Sequence, residues 1–199
     1  MQSKKYKKLI KEVRGCSICM PHLPMGPNPV FRINPKAKIL VAGQAPGIRV
    51  HNTGIPFNDP SGVRLREWMG VDDETFYNEE KIAIIPMGFC YPGTGERGDL
   101  PPRKECAETW RDELISYLPD IKLTLAIGMY AINWHLKGSK KKTLTESVKS
   151  YKEYLANGVL PLPHPSPRNN IWLKRNPWFE KEVVSELRSR IKTILHISN

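Results

Sequence analysis

Residues 37–43, AKILVAG, form a short continuous apolar run bounded by loop residues, with no alternation of polar and apolar positions. A strand with one wet face alternates, whereas a strand covered on both faces need not, so the run predicts a strand buried inside a sheet. Similar runs recur at 81–88 (KIAIIPMG), 121–128 (IKLTLAIG) and 158–166 (GVLPLPHPS). Helical patterns lie between them: SGVRLREWMG from 61, RKECAETWRDELISYL from 103, YAINWHLKG from 130 and TLTESVKSYKEYLA from 143. Strand and helix alternating at this spacing predict an α/β fold, a parallel sheet with helices on both faces. The segment 3–14 predicts a basic, weakly amphipathic helix. The segment 176–197 predicts a closing helix with Asn176 as N-cap, Pro177 at its first position, and Val183, Val184, Leu187, Ile191, Ile194 and Leu195 on its packed face.

The chain of 199 residues suits one domain, 1–199, with no internal repeat or long linker. Hydrophobic residues at 40% and charged residues at 26% are ordinary for a soluble globular protein and argue against disorder. The charge balance is less ordinary: 31 Lys and Arg against 20 Asp and Glu give +11, which suits a polyanionic partner such as nucleic acid. No apolar run approaches the roughly 20 residues that span a bilayer, and the N-terminal stretch lacks the apolar core of a signal peptide. The expectation is a cytoplasmic protein without membrane attachment. In a reducing compartment its four cysteines point to metal binding or plain burial rather than to disulfides.

Ligands of open α/β sheets bind beyond the carboxyl ends of the strands, so the loops after 43, 88, 128 and 163 are where chemistry is expected. In the first, GQAPG (43–47), small residues let backbone N–H groups approach a ligand and Pro46 fixes a turn. The stretch matches neither established phosphate-loop pattern. TGIPFNDPSG follows with an aromatic, Phe57, and a carboxylate, Asp59. Asp59 before Pro60 also reads as a helix N-cap, and Phe57 also reads as core. His51 is a further candidate in this loop. The fourth loop, HPSPRNN, offers His164 as a hydrogen-bond donor to a leaving group, Ser166 as a phosphate ligand, and Arg168 and Asn169 as groove contacts. A proline-stiffened turn with a structural histidine is the plainer alternative. The lysines of KGSKKKT (137–143) read as a solvated loop or a phosphate contact.

The cysteines form two close pairs, Cys16 with Cys19 and Cys90 with Cys106, the second pair enclosing fifteen residues. Two pairs using all four cysteines fit a four-thiolate site, and thiolate count alone does not separate zinc from a 4Fe-4S cluster.

Taken together, these pieces resemble the uracil-DNA glycosylase superfamily, especially its iron-sulfur branches, families four and five. The resemblance runs from CSIC to HPSPRN. It rests on four features in family order: a Cys-x-x-Cys, a Gly-x-Ala-Pro loop running into TGIPF and DPSG, the Cys pair at 90 and 106, and a terminal His-Pro-Ser. It implies a three-layer α/β/α sandwich with a four-stranded parallel sheet, a 4Fe-4S cluster on Cys16, Cys19, Cys90 and Cys106 (with zinc less expected), and hydrolytic removal of a damaged base from DNA. On that resemblance Phe57 stacks on the flipped base, and the backbone at Gly43, Gln44 and Ala45 faces its polar edge. His164 stabilises the departing base anion, and Asp59 positions water or stabilises the sugar cation. Ser166, Arg168 and Asn169 contact DNA. The protein is expected to act as a monomer without an obligate protein partner.

Two departures from the family pattern matter. Ala45 stands where several branches place an acidic or amide catalytic residue, which moves the catalytic burden to Asp59, as in family five, and leaves one carboxylate in view. IPMGFC (85–90) lacks the asparagine with which strictly uracil-specific branches read the base, so hypoxanthine joins uracil as an expected substrate. No lysine nucleophile adjoins the motifs, so strand cleavage through a Schiff base is not expected. The alternative readings are a noncatalytic iron-sulfur protein that binds nucleic acid on this scaffold, and a hydrolase of free nucleosides or nucleotides.

Overall fold

The computed structural model describes residues 3–96 and 98–197. Four of its strands, β1 (Ile39–Ala42), β2 (Ile82–Ile84), β5 (Leu123–Ile127) and β6 (Val159–Leu162), pair in parallel in the order β2-β1-β5-β6. Ile39 lies opposite both Ile82 and Leu123, and Thr124 opposite Val159. Every residue of β1, β2 and β5 is buried, as the unbroken apolar runs require. Pro161, which cannot donate to a ladder, sits in β6, an edge strand. The opposite edge of β2 is covered by an antiparallel bridge between Arg32 and Ile84.

The period of two along each strand splits the core into layers. Ile39, Val41, Ile82, Ile84, Leu123 and Leu125 pack with Leu65, Trp68 and Met69 of α3 (Pro60–Met69) and with Leu187 and Ile191 of α11 (Ser185–Leu195). Leu40 and Ala83 pack on the other face with Tyr6, Leu9 and Val13 of α1 (Lys4–Arg14) and with Leu114 of α6 (Asp112–Ser116). Ala42 and Ala126 leave room there for Ala131 and Ile132 of α7 (Gly128–His135). The remaining helices are α2 (Ile48–Thr53), α4 (Asp73–Tyr77), α5 (Lys104–Cys106), α8 (Leu144–Lys149), α9 (Tyr151–Leu155) and α10 (Asn170–Arg175). No helix among the described residues is long and apolar enough to cross a membrane.

Several elements depart from the expectation. The first loop contains α2, the fourth loop winds into α10, and a two-stranded hairpin, β3 (Thr94–Gly95) with β4 (Gly98–Asp99), follows β2. Asn176 does not cap the closing helix with its side chain. Its Oδ1 accepts from Trp178 Nε1 at 3.1 Å and its Nδ2 donates to the Trp172 carbonyl at 2.8 Å, while its backbone carbonyl takes the Phe179 N–H at 3.0 Å. The tryptophan pair, with ring centroids 5.9 Å apart, claims the amide that would otherwise cap.

Arg111 is fully buried at the end of a π-helical segment, Ala107–Arg111, that continues from Cys106. Its Nη1 donates to the carbonyls of Ile85 and Pro86, and its Nη2 donates to His135 Nε2 at 2.8 Å. It therefore ties the exit of β2 to α7. Burial, and then the neighbouring guanidinium, push His135 down to about 3. Below its ordinary value of 6.5 the unfolded chain binds a proton that the folded site refuses. Stability contributed by His135 is thus complete above pH 6.5 and is lost as the pH falls toward about 3. We expect thermal melts between those values to lose on the order of a few kcal/mol that a His135→Asn variant does not lose.

Candidate active site

At the carboxyl ends of β1 and β6 lies a cavity of about 440 Å³. Its lining gathers Gly43, Gln44, Ala45, Phe57 and Asp59 from the first loop with His164, Ser166, Arg168 and Asn169 from the fourth. Residues more than a hundred positions apart meet because their strands lie on either side of β5 in one parallel sheet.

The first loop is pinned through its carbonyls. Gly43 O accepts from Met87 N–H and Gln44 O from Gly88 N–H, both at 2.9 Å, and Gln44 Nε2 donates to Leu100 O at 3.2 Å. Among the described residues the N–H groups of Gln44 and Ala45 make no hydrogen bond, which leaves two donors at the cavity wall. Phe57 adopts φ 56, a left-handed conformation costly for an aromatic residue. Its ring lies against Gly43, where a Cβ would be 3.2 Å from the ring, and meets Phe76 edge-on at 6.0 Å. A Cβ at Gly62 would fall 1.7 Å from the Phe57 carbonyl oxygen, so only glycine allows the loop to fold back on the start of α3. Arg66 Nη1 donates to that same carbonyl at 3.3 Å.

Asp59 caps α3: its Oδ1 accepts the Gly62 N–H at 2.8 Å, and the side chain also lines the cavity. The capping alternative and the cavity placement therefore hold together. His164 Nδ1 accepts the Ser166 N–H at 3.2 Å, which leaves the ring proton of the neutral imidazole on Nε2. Burial lowers the pKa of His164, opposed by the carboxylates of Asp59 and Asp99, so the ring is neutral near pH 7. Asn169 Nδ2 holds the His164 carbonyl at 2.7 Å, Ser166 Oγ accepts the Arg168 N–H at 3.2 Å, and Arg64 Nη1 from α3 reaches the Ser166 carbonyl at 3.2 Å. Asn169 and Ser166 thus shape the loop that carries His164, while the Arg168 side chain remains exposed.

The sequence reading misses Asp99, which lines the cavity and adds a second carboxylate where one was expected. It also misses Arg64 and Arg66, whose pattern is that of an ordinary polar helix face. His51 does not line the cavity; it lies in α2 with its ring 6.2 Å from Tyr91. In the lysine loop, Lys137 lies over Trp134 at 4.3 Å and Lys141 pairs with Glu153 at 2.9 Å.

All four cysteines are free thiols. Cys19 and Cys106 are buried together beside Leu23 with Cys90 packed against them, and Trp110 Nε1 donates to Cys16 Sγ at 3.3 Å. The backbone N–H groups of Asn28 and Phe89 favour the thiolates of Cys90 and Cys106 respectively, but burial outweighs them. Burial pushes Cys90 up to about 11 and Cys106 up to about 12, so these sulfurs ionise only beside compensating positive charge. Among the described residues no group of three or more His, Cys, Asp and Glu side chains is arranged to hold a metal ion. Thiols are the donor type that both zinc and iron-sulfur sites use, and Cys19, Cys90 and Cys106 pack together.

The sequence model of the Uracil DNA glycosylase superfamily matches residues 30–188. The chain belongs to the uracil-DNA glycosylase superfamily. The matched span contains every cavity residue named above together with Cys90 and Cys106, while Cys16 and Cys19 lie outside it. Superfamily membership supports DNA glycosylase activity and DNA as the substrate class. The four-stranded sheet flanked by helices agrees with it.

Gly62→Ala tests the loop geometry directly. No flexible side chain can yield to the new Cβ, so the variant is expected to lose about 3 kcal/mol in denaturant unfolding. A change of under about 0.5 kcal/mol would show that the close approach is not obligatory.

Proposed function

We propose that this protein is a monofunctional DNA glycosylase that flips a deaminated base, uracil foremost and hypoxanthine as a second substrate, into the cavity and hydrolyses its bond to deoxyribose. The observation that carries this reading is the pairing, in one cavity that Phe57 also lines, of a neutral Nε2–H donor on His164 with the carboxylate of Asp59, fixed on the Gly62 N–H. Taking a base out of the stack costs roughly a few kcal/mol, which an aromatic wall and basic phosphate contacts offset. Phe57 supplies the wall, and the unpaired N–H groups of Gln44 and Ala45 meet the polar edge of the base.

As the glycosidic bond breaks, its electron pair leaves with the base and positive charge grows on the sugar. His164 donates to the departing anion, and Asp59, held by the N-terminus of α3, stabilises the cation. Water then completes the hydrolysis. Among the described residues no lysine lines the cavity, which supports hydrolysis without a Schiff base. Cys16, Cys19, Cys90 and Cys106 would hold a 4Fe-4S cluster that fastens the N-terminal segment to the loop after β2; the chemistry it supplies is structural cross-linking.

Oligonucleotides containing uracil or hypoxanthine, treated with alkali after incubation, test the activity. Excision of at least one is expected; binding without turnover would favour the noncatalytic reading. Asp59→Ser keeps a capping oxygen, so it should change stability by less than about 0.5 kcal/mol while lowering single-turnover excision by about 10²-fold or more. An unchanged rate in that variant would leave Asp59 a cap alone. Protein purified anaerobically should carry iron and acid-labile sulfide with a broad visible band that Cys106→Ser abolishes; stoichiometric zinc would contradict the cluster.

A further inference from the structure

The hairpin β3–β4 carries the second carboxylate into the cavity. Asp99, the last residue of β4, shares the cavity lining with Asp59 and His164. Its Oδ1 accepts from Thr94 Oγ1 at 3.2 Å, and that hydroxyl lies 2.6 Å from the hydroxyl of Tyr91. Its Oδ2 faces the first loop, where a Cβ at Gly47 would lie 3.4 Å away. The fourth loop closes on the hairpin from the other side: a Cβ at Gly98 would fall 1.8 Å from Arg168 Nη1, so the guanidinium rests on bare backbone. Asp99 therefore stands between the two loops that carry Asp59 and His164. The imidazole of His164 is within the field of both carboxylates.

The two carboxylates are held differently. Asp59 has one oxygen committed to Gly62 N–H at the N-terminus of a ten-residue helix, which suits a fixed anion. Asp99 is exposed and also lines the cavity. Its Oδ1 is anchored by the Thr94 hydroxyl, and its Oδ2 makes no hydrogen bond among the described residues. An oxygen so placed can meet water as it enters.

We propose that Asp99 is a catalytic residue, the general base that takes the proton of the attacking water, while Asp59 acts as the fixed anion beside the sugar. This role rests on the glycosylase reading. The glycosidic bond breaks with its electron pair on the base, which His164 Nε2–H stabilises. A lone pair of the water oxygen forms the new bond to the anomeric carbon, and the water proton passes to Asp99 Oδ2. That proton then reaches the departed base anion through solvent. The products are a neutral base and an abasic sugar, and Asp99 returns to its starting charge. A carboxylate delivered by the hairpin supplies what Ala45 does not.

The test compares wild type, Asp99→Asn and Asp99→Ala in single-turnover excision, with affinity for DNA carrying a non-cleavable uridine analogue measured in parallel. Asp99→Asn is expected to slow excision by about 100-fold or more and to leave affinity within about twofold. Added formate is expected to restore part of the Asp99→Ala rate, because a small carboxylate can enter the space vacated. A wild-type rate in Asp99→Asn, or an Asp99→Ala defect that formate leaves unchanged, overturns the assignment while wild-type excision keeps the glycosylase reading in place. Absence of wild-type excision on every deaminated base removes the glycosylase reading and this role with it.

Discussion

The contact between Gly62 and the Phe57 carbonyl organises the functional end of the molecule. Because a Cβ at 62 would lie 1.7 Å from that oxygen, the chain can turn back on the first turn of α3 only with glycine there. That reversal holds Phe57 at φ 56, aims its ring at Gly43, and brings Asp59 onto the Gly62 N–H. The strain of a left-handed aromatic residue is borne by the surrounding bonds: Arg66 on the Phe57 carbonyl, and the Tyr77 hydroxyl on the Pro56 carbonyl at 3.1 Å. Backbone economy at one glycine thus sets the positions of an aromatic wall and a carboxylate together.

Around this reversal, the parallel sheet supplies the rest of the geometry. β1 and β6 flank β5, so their loops face one another across the sheet end, and Arg64 bolts α3 to the carbonyls of Pro165 and Ser166. The loop after β2 closes a third side through the Met87 and Gly88 N–H groups, and Arg111 holds that loop from beneath through the Ile85 and Pro86 carbonyls. Because the helix carrying Cys106 continues into Arg111, the thiol group is linked through that arginine to Pro86, which lines the cavity.

How much of this was legible in the sequence follows from which forces act locally. The four strands are readable because unbroken apolar runs have one economical destination, a sheet covered on both faces. The loops are readable because glycine, proline and strand ends mark where a ligand can approach, and all nine cavity residues expected from them line one space. Asp99 is not readable: "GERGDLPP" looks like an exposed turn, and its carboxylate reaches the cavity only because Arg168 and Gly47 close on the hairpin from distant parts of the chain. Arg111 is hidden for a related reason, since a charge in a polar helical pattern gives no sign that its partners are buried carbonyls. Asn176 shows the limit of capping rules, as two tryptophans outbid the helix for its amide.

The central claim is that the cavity receives a flipped base between Phe57 and His164. A crystal structure of the protein with duplex DNA carrying a non-cleavable fluorinated uridine analogue measures it most directly. The account predicts the base against the Phe57 ring, a base oxygen within hydrogen-bond distance of His164 Nε2, and the sugar between the carboxylates of Asp59 and Asp99. A bound duplex whose analogue stays stacked in the helix, with the cavity facing away from the DNA, would contradict it.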